Sequence, residues 1–124
     1  VEVLIVDVNP SIGATIFNDA KDYLIANVQQ RIILFPTKSD MGLVIIGSND
    51  SKNKLSVQYG GYENISVKMP ISETSADLLD EIARLDAGAD AGDWLDSMVV
   101  GLDLIQCHCQ GLDCEKSIFL FTNA

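Results

Sequence analysis

Val3-Leu4-Ile5-Val6-Asp7-Val8-Asn9-Pro10-Ser11 is the stretch whose reading decides the fold. The continuously apolar run predicts a strand over residues 2–8 buried on both faces, as in the middle of a parallel sheet. It ends in a carboxylate followed by small polar residues. In open α/β sheets the crevice that takes ligands lies at the C-terminal ends of such central strands, so Asp7 to Ser11 are placed there.

Working outward, residues after Pro10 change to a helical pattern. Ile16, Ala20, Leu24 and Val28 recur every fourth residue, joined by Phe17 and Tyr23, with Asp19, Lys21 and Asp22 around them. Ser11 or Thr15 is the expected cap, and the helix must end before Pro36, since a residue preceding proline avoids the α region. Leu43-Val44-Ile45-Ile46-Gly47 reads as a second strand. The stretch 48–54 reads as a turn, and the polar, glycine-containing sequence as loop up to Gly60-Gly61. Ile65-Ser66-Val67-Lys68-Met69 alternates and is expected to be half-exposed. Two strands joined without a helix fit an antiparallel edge ribbon.

Thr74-Ser75 followed by Asp77 resembles a helix start, with Leu78, Leu79, Ile82 and Leu85 as the buried stripe. Residues 86–92 read as loop. Leu95, Met98, Val99, Leu102 and Ile105 are spaced as one buried face of a further helix. Gly101 inside it implies close packing, and Gly111 suits its C-terminus. Ser117-Ile118-Phe119-Leu120-Phe121-Thr122 is a last strand, ending at Asn123. The expected order is β-α-β-β-α-α-β, an α/β three-layer pattern with a mostly parallel sheet. Right-handed crossovers set the first and last strands side by side, so Asp7 to Ser11 share a crevice with Thr122-Asn123.

The 124 residues suffice for one domain, taken as 1–124, with one core. No apolar run approaches the roughly 20 residues needed to span a bilayer, and no basic start leads into an apolar stretch. No membrane association is expected. With 8 basic and 18 acidic side chains the net charge is −10. Such a chain repels phosphate backbones, so it is expected to be a poor nucleic-acid binder by itself. Three cysteines, Cys107, Cys109 and Cys114, argue against a disulfide scaffold and for a reducing compartment. Asn49-Asp50-Ser51 and Asn64-Ile65-Ser66 match glycosylation sequons, but such triplets arise by chance.

Taken together, Glu2-Val3-Leu4-Ile5-Val6-Asp7-Val8, Leu43-Val44-Ile45-Ile46-Gly47, Gly61-Tyr62-Glu63-Asn64-Ile65-Ser66-Val67, Asp77-Leu78-Leu79-Asp80-Glu81-Ile82, Gly92-Asp93-Trp94-Leu95-Asp96 through Asp103-Leu104-Ile105-Gln106, and Ile118-Phe119-Leu120-Phe121-Thr122-Asn123 resemble the amino-terminal von Willebrand factor A-like (vWA-like) domain of Ku, in particular its larger subunit. The resemblance implies a three-layer vWA-like (Rossmann-like) α/β domain. It further implies a nuclear role in double-strand break repair by non-homologous end joining and in telomere maintenance. The implied partners are the other Ku subunit, DNA repair and telomere proteins, and double-stranded DNA ends held by parts of the protein outside this chain. The family's domain continues past the Phe-Thr-Asn position, so this chain is expected to be its first part, truncated after the fourth strand. The smaller Ku subunit shares the fold and is an alternative, as is a metal-dependent vWA adhesion or receptor domain. A flavodoxin-like enzyme would need a better phosphate loop than Asn9-Pro10-Ser11-Ile12-Gly13.

The resemblance also brings a metal question. A working vWA site uses Asp-x-Ser-x-Ser, a threonine from a second loop and a further aspartate, an oxygen set suited to Mg²⁺. Here the positions are Asp7, Asn9, Ser11 and Asn123, with Pro10 in the loop and Asp90 and Asp93 but no threonine in the second loop. A degenerate site with no metal and no cofactor is expected, with Asp7 capping backbone N–H groups instead. Cys107-His108-Cys109 with Cys114 lacks zinc-ligand spacing. His108 is the chain's single histidine, so no site that needs two histidines can form within it. No Walker or Gly-x-Gly-x-x-Gly loop occurs, and no enzymatic activity is expected. The acidic run from Asp77 to Asp96 reads as a solvated face. Trp94, Asp90, Asp93 and Asp96 are the candidate partner-binding residues.

Overall fold

The computed structural model describes residues 1–8, 14–34, 40–48, 50–85, 91–111 and 114–122. Their order is β1 (Glu2–Asp7), α1 (Ala14–Leu34), β2 (Asp40–Ile46), α2 (Lys54–Tyr59), β3 (Ile65–Glu73), α3 (Ala76–Ala83), α4 (Trp94–Cys109) and β4 (Ser117–Phe121). The four strands form one sheet in the order β3-β2-β1-β4. β1 lies parallel to both β2 and β4, with Ile5 opposite Val44 and Leu120, while β2 and β3 run antiparallel. The expected pairing of first and last strands and the antiparallel ribbon are both present.

Side-chain alternation along β1 builds two cores. Leu4, Val6 and Val8 point to one face, where they meet Phe17, Leu24 and Val28 of α1 and Leu78 and Ile82 of α3. Val3 and Ile5 point to the other, against Val100, Ile105 and Cys109 of α4 and Leu55 of α2. The sheet is thus sandwiched between helices, and β1 and β2 are buried almost throughout because both of their faces are covered. Lys21 fastens the first layer: its Nζ donates to the carbonyls of Ala83 and Leu85 at 3.0 and 2.7 Å, at the C-terminal end of α3.

Three expectations need correction. The loop assigned between β2 and β3 contains α2. Its start is made by Asn53, whose side-chain oxygen accepts from Ser56 N–H at 2.7 Å. In α4 the buried face is Ser97, Val100, Gly101, Ile105 and Cys109. Leu95, Val99 and Leu102, placed in the core from spacing, are 57%, 41% and 56% exposed. The helix is apolar on more than one side, and the sheet takes the side with small residues: a Cβ on Gly101 would stand 3.3 Å from Ile5 Cδ1. In α1, Ile16 and Tyr23 are likewise exposed, although Tyr23 packs on Phe121 with ring centroids 5.8 Å apart. Thr15 lies inside α1 and Ser11 lies outside the described residues.

Candidate functional site

At the C-terminal ends of β1 and β4 the parallel pairing brings Asp7 and Thr122 together. Thr122 Oγ1 donates to Asp7 Oδ2 at 2.9 Å, and Asp7 is buried. Beside them a pocket of about 210 Å³ is lined mainly by apolar groups of Val6, Phe17, Ala20, Leu120 and Phe121. Of the four metal-loop positions, Asp7 is described, whereas Asn9, Ser11 and Asn123 lie outside the described residues, as do Pro10 and Asp90. Among the described residues no group of three or more His, Cys, Asp or Glu side chains could hold a metal ion. The Thr122 hydroxyl bonds one carboxylate oxygen of Asp7, and apolar side chains lie beside the pair.

The second site lies where the turn before β3 meets the start of α4. Gly61, Tyr62, Glu63, Asn64, Ala91, Gly92, Asp93 and Asp96 line a cleft of about 280 Å³. Tyr62 and Asn64 both take positive φ, 51° and 59°, which tightens the turn. Asn64 then ties the turn to the end of β2: its carbonyl accepts from Gly47 and Ser48 N–H at 2.7 and 3.2 Å, and its Nδ2 donates to Ser48 O at 2.8 Å. With its amide so engaged and Ser66 buried, the Asn64 sequon is a poor glycan acceptor. Gly92 fits against this turn because it has no side chain; a Cβ there would stand 2.7 Å from Ile46 Cγ2 and 3.0 Å from Asn64 O.

Two of the acids singled out from the sequence meet in this cleft. Asp93 is exposed and caps α4, accepting from Leu95 N–H at 2.8 Å, and Asp96 is half-buried one turn on. A carboxylate at a helix N-terminus is favoured by the dipole. Trp94 is 42% exposed and does not line the cleft; its carbonyl accepts from Ser97 Oγ at 2.5 Å. Asp77 and Asp80 are exposed on α3, away from these residues in sequence, and Glu81 is half-buried. Sequence reasoning missed Tyr62 and Asn64 as cleft residues; the signal was the Gly-Gly pair ahead of an asparagine, the residue types that accept a left-handed backbone.

After β2, a hydroxyl network pins the chain. Ser48 Oγ and Ser66 Oγ lie 2.9 Å apart and Ser66 Oγ donates to Asp50 Oδ1 at 2.7 Å. That bond holds the Asp50 carboxyl below its ordinary value of 3.8 against the opposing effect of burial, helped by Lys52. The cysteine–histidine run is dispersed: Cys107 is exposed, Cys109 buried, and His108 Nε2 pairs with Asp40 Oδ2 at 2.9 Å.

Three kinds of similarity bear on this architecture. The SpRpn10 VWA domain superposes with a TM-score of 0.54 over 85% of this chain and 50% of that one, at 13% identity, a likeness of fold. The X-ray repair cross-complementing protein 5 of Dictyostelium discoideum is 36% identical over 95 residues, covering 77% of this chain and 12% of that protein. The Arabidopsis thaliana protein named ATP-dependent DNA helicase 2 subunit KU80 is 29% identical over 123 residues, 98% of this chain and 18% of that protein. The chain thus spans less than a fifth of the length of these relatives. The family model for the Ku70/Ku80 N-terminal alpha/beta domain matches residues 2–124. With that match running through every strand and helix of the sheet sandwich, the chain belongs to the family of Ku70/Ku80 N-terminal alpha/beta domains.

Proposed function

We propose that this chain is the amino-terminal protein-interaction domain of the larger subunit of a Ku-type DNA-end-binding heterodimer. It acts, as a non-enzymatic module, in double-strand break repair by non-homologous end joining and in telomere maintenance, in the nucleus. The observation that carries this reading is the family match over residues 2–124. The net charge of −10 supports it: a domain that repels phosphates contributes contacts to proteins and leaves DNA to other parts of the polypeptide. In this reading the heterodimer partner is the other Ku subunit, and repair and telomere proteins dock on the domain.

The docking region we assign is the start of α4, with Trp94, Asp93 and Asp96, together with Asp90. Exposed aromatic side chains beside carboxylates supply the anchor-and-rim pattern of protein interfaces. Trp94→Ala is expected to weaken partner binding about 5- to 100-fold, the effect of losing an interface anchor, while leaving the circular dichroism spectrum unchanged. A collapsed spectrum would instead make Trp94 part of the core. The wider reading is tested by purifying the full-length protein from its own cells. A second Ku-like subunit at a one-to-one ratio, retained at high salt, is the expected result. Recovery without such a subunit would overturn the heterodimer.

A further inference from the structure

We draw no further inference here: the strongest candidate, the apolar surface flanking the outer edge of β4, where Ile16 and Tyr23 of α1 stand exposed beside Phe121 on one face of the sheet and Leu102 of α4 beside Ile118 on the other, carries nothing because nothing in the structure shows what covers it.

Discussion

Asn53 is a small polar residue in a stretch that reads as loop, yet three hydrogen bonds converge on its buried side chain. Oδ1 caps α2 by accepting from Ser56 N–H at 2.7 Å, and Nδ2 donates to Tyr62 O at 3.0 Å and Ile65 O at 2.8 Å. It therefore holds α2, the turn at the acidic cleft and the first residue of β3 to one another. Asn53→Ala removes the cap, at about 1 kcal/mol, and leaves two carbonyls short of a donor, at about 1 kcal/mol or more each where water does not reach them. The expected loss is about 3 kcal/mol, a large part of the roughly 5–15 kcal/mol by which domains are stable. Asn53→Asp separates the contributions. It keeps the cap acceptor but turns a carboxylate oxygen toward the two carbonyls, so it is expected to cost at least as much as alanine at pH 7. Urea unfolding followed by circular dichroism measures both, with midpoints lowered by about 1–2 M for a slope of about 2 kcal/mol/M. An Asn53→Asp midpoint equal to the parent would refute the reasoning, because it would show the cap to be the whole contribution of this side chain.

Gly92→Ala is expected to destabilise by about 1–3 kcal/mol in the same assay, since its Cβ would press on Ile46 Cγ2 and on the Asn64 carbonyl, which already accepts two N–H groups. Gly101→Ala should stay within about 1 kcal/mol of the parent, because helix propensity gained there offsets a contact with the movable end of Ile5, whereas Gly101→Leu should unfold the α4 side. The lowered Asp50 carboxyl gives a signed pH dependence: its contribution is fully present above the ordinary value of 3.8 and is lost as the pH falls through the lower value it has in the folded chain. Asp50→Asn should therefore flatten that part of the acid limb, lowering stability slightly above the ordinary value and leaving it unchanged below the folded one. The effect is small because Asp50 is exposed.

The sequence by itself determined the central strands, the helices on either side and the family. β1 and β2 are continuous apolar runs, and only a sheet covered on both faces buries such runs. Of the stripe Leu78, Leu79, Ile82 and Leu85, Leu78 and Ile82 of α3 and Leu85 just after it are buried as the spacing indicates and Leu79 is half-buried, because a single apolar side leaves one way to dock. The tertiary structure alone decided which side of α4 meets the sheet. Leu95, Val99 and Leu102 are as well spaced as Val100, Ile105 and Cys109, so periodicity offers two faces. The close approach of β1 and β4 selects the face carrying Ser97 and Gly101. It also decided that α2 exists, since a six-residue helix has little stability of its own and is held by Asn53 and by Leu55 in the core. The cleft joining Tyr62 and Asn64 to Asp93 and Asp96 belongs to the same class: about 30 residues of sequence separate its two sides, and only the packing of Gly92 against the Asn64 turn brings them together.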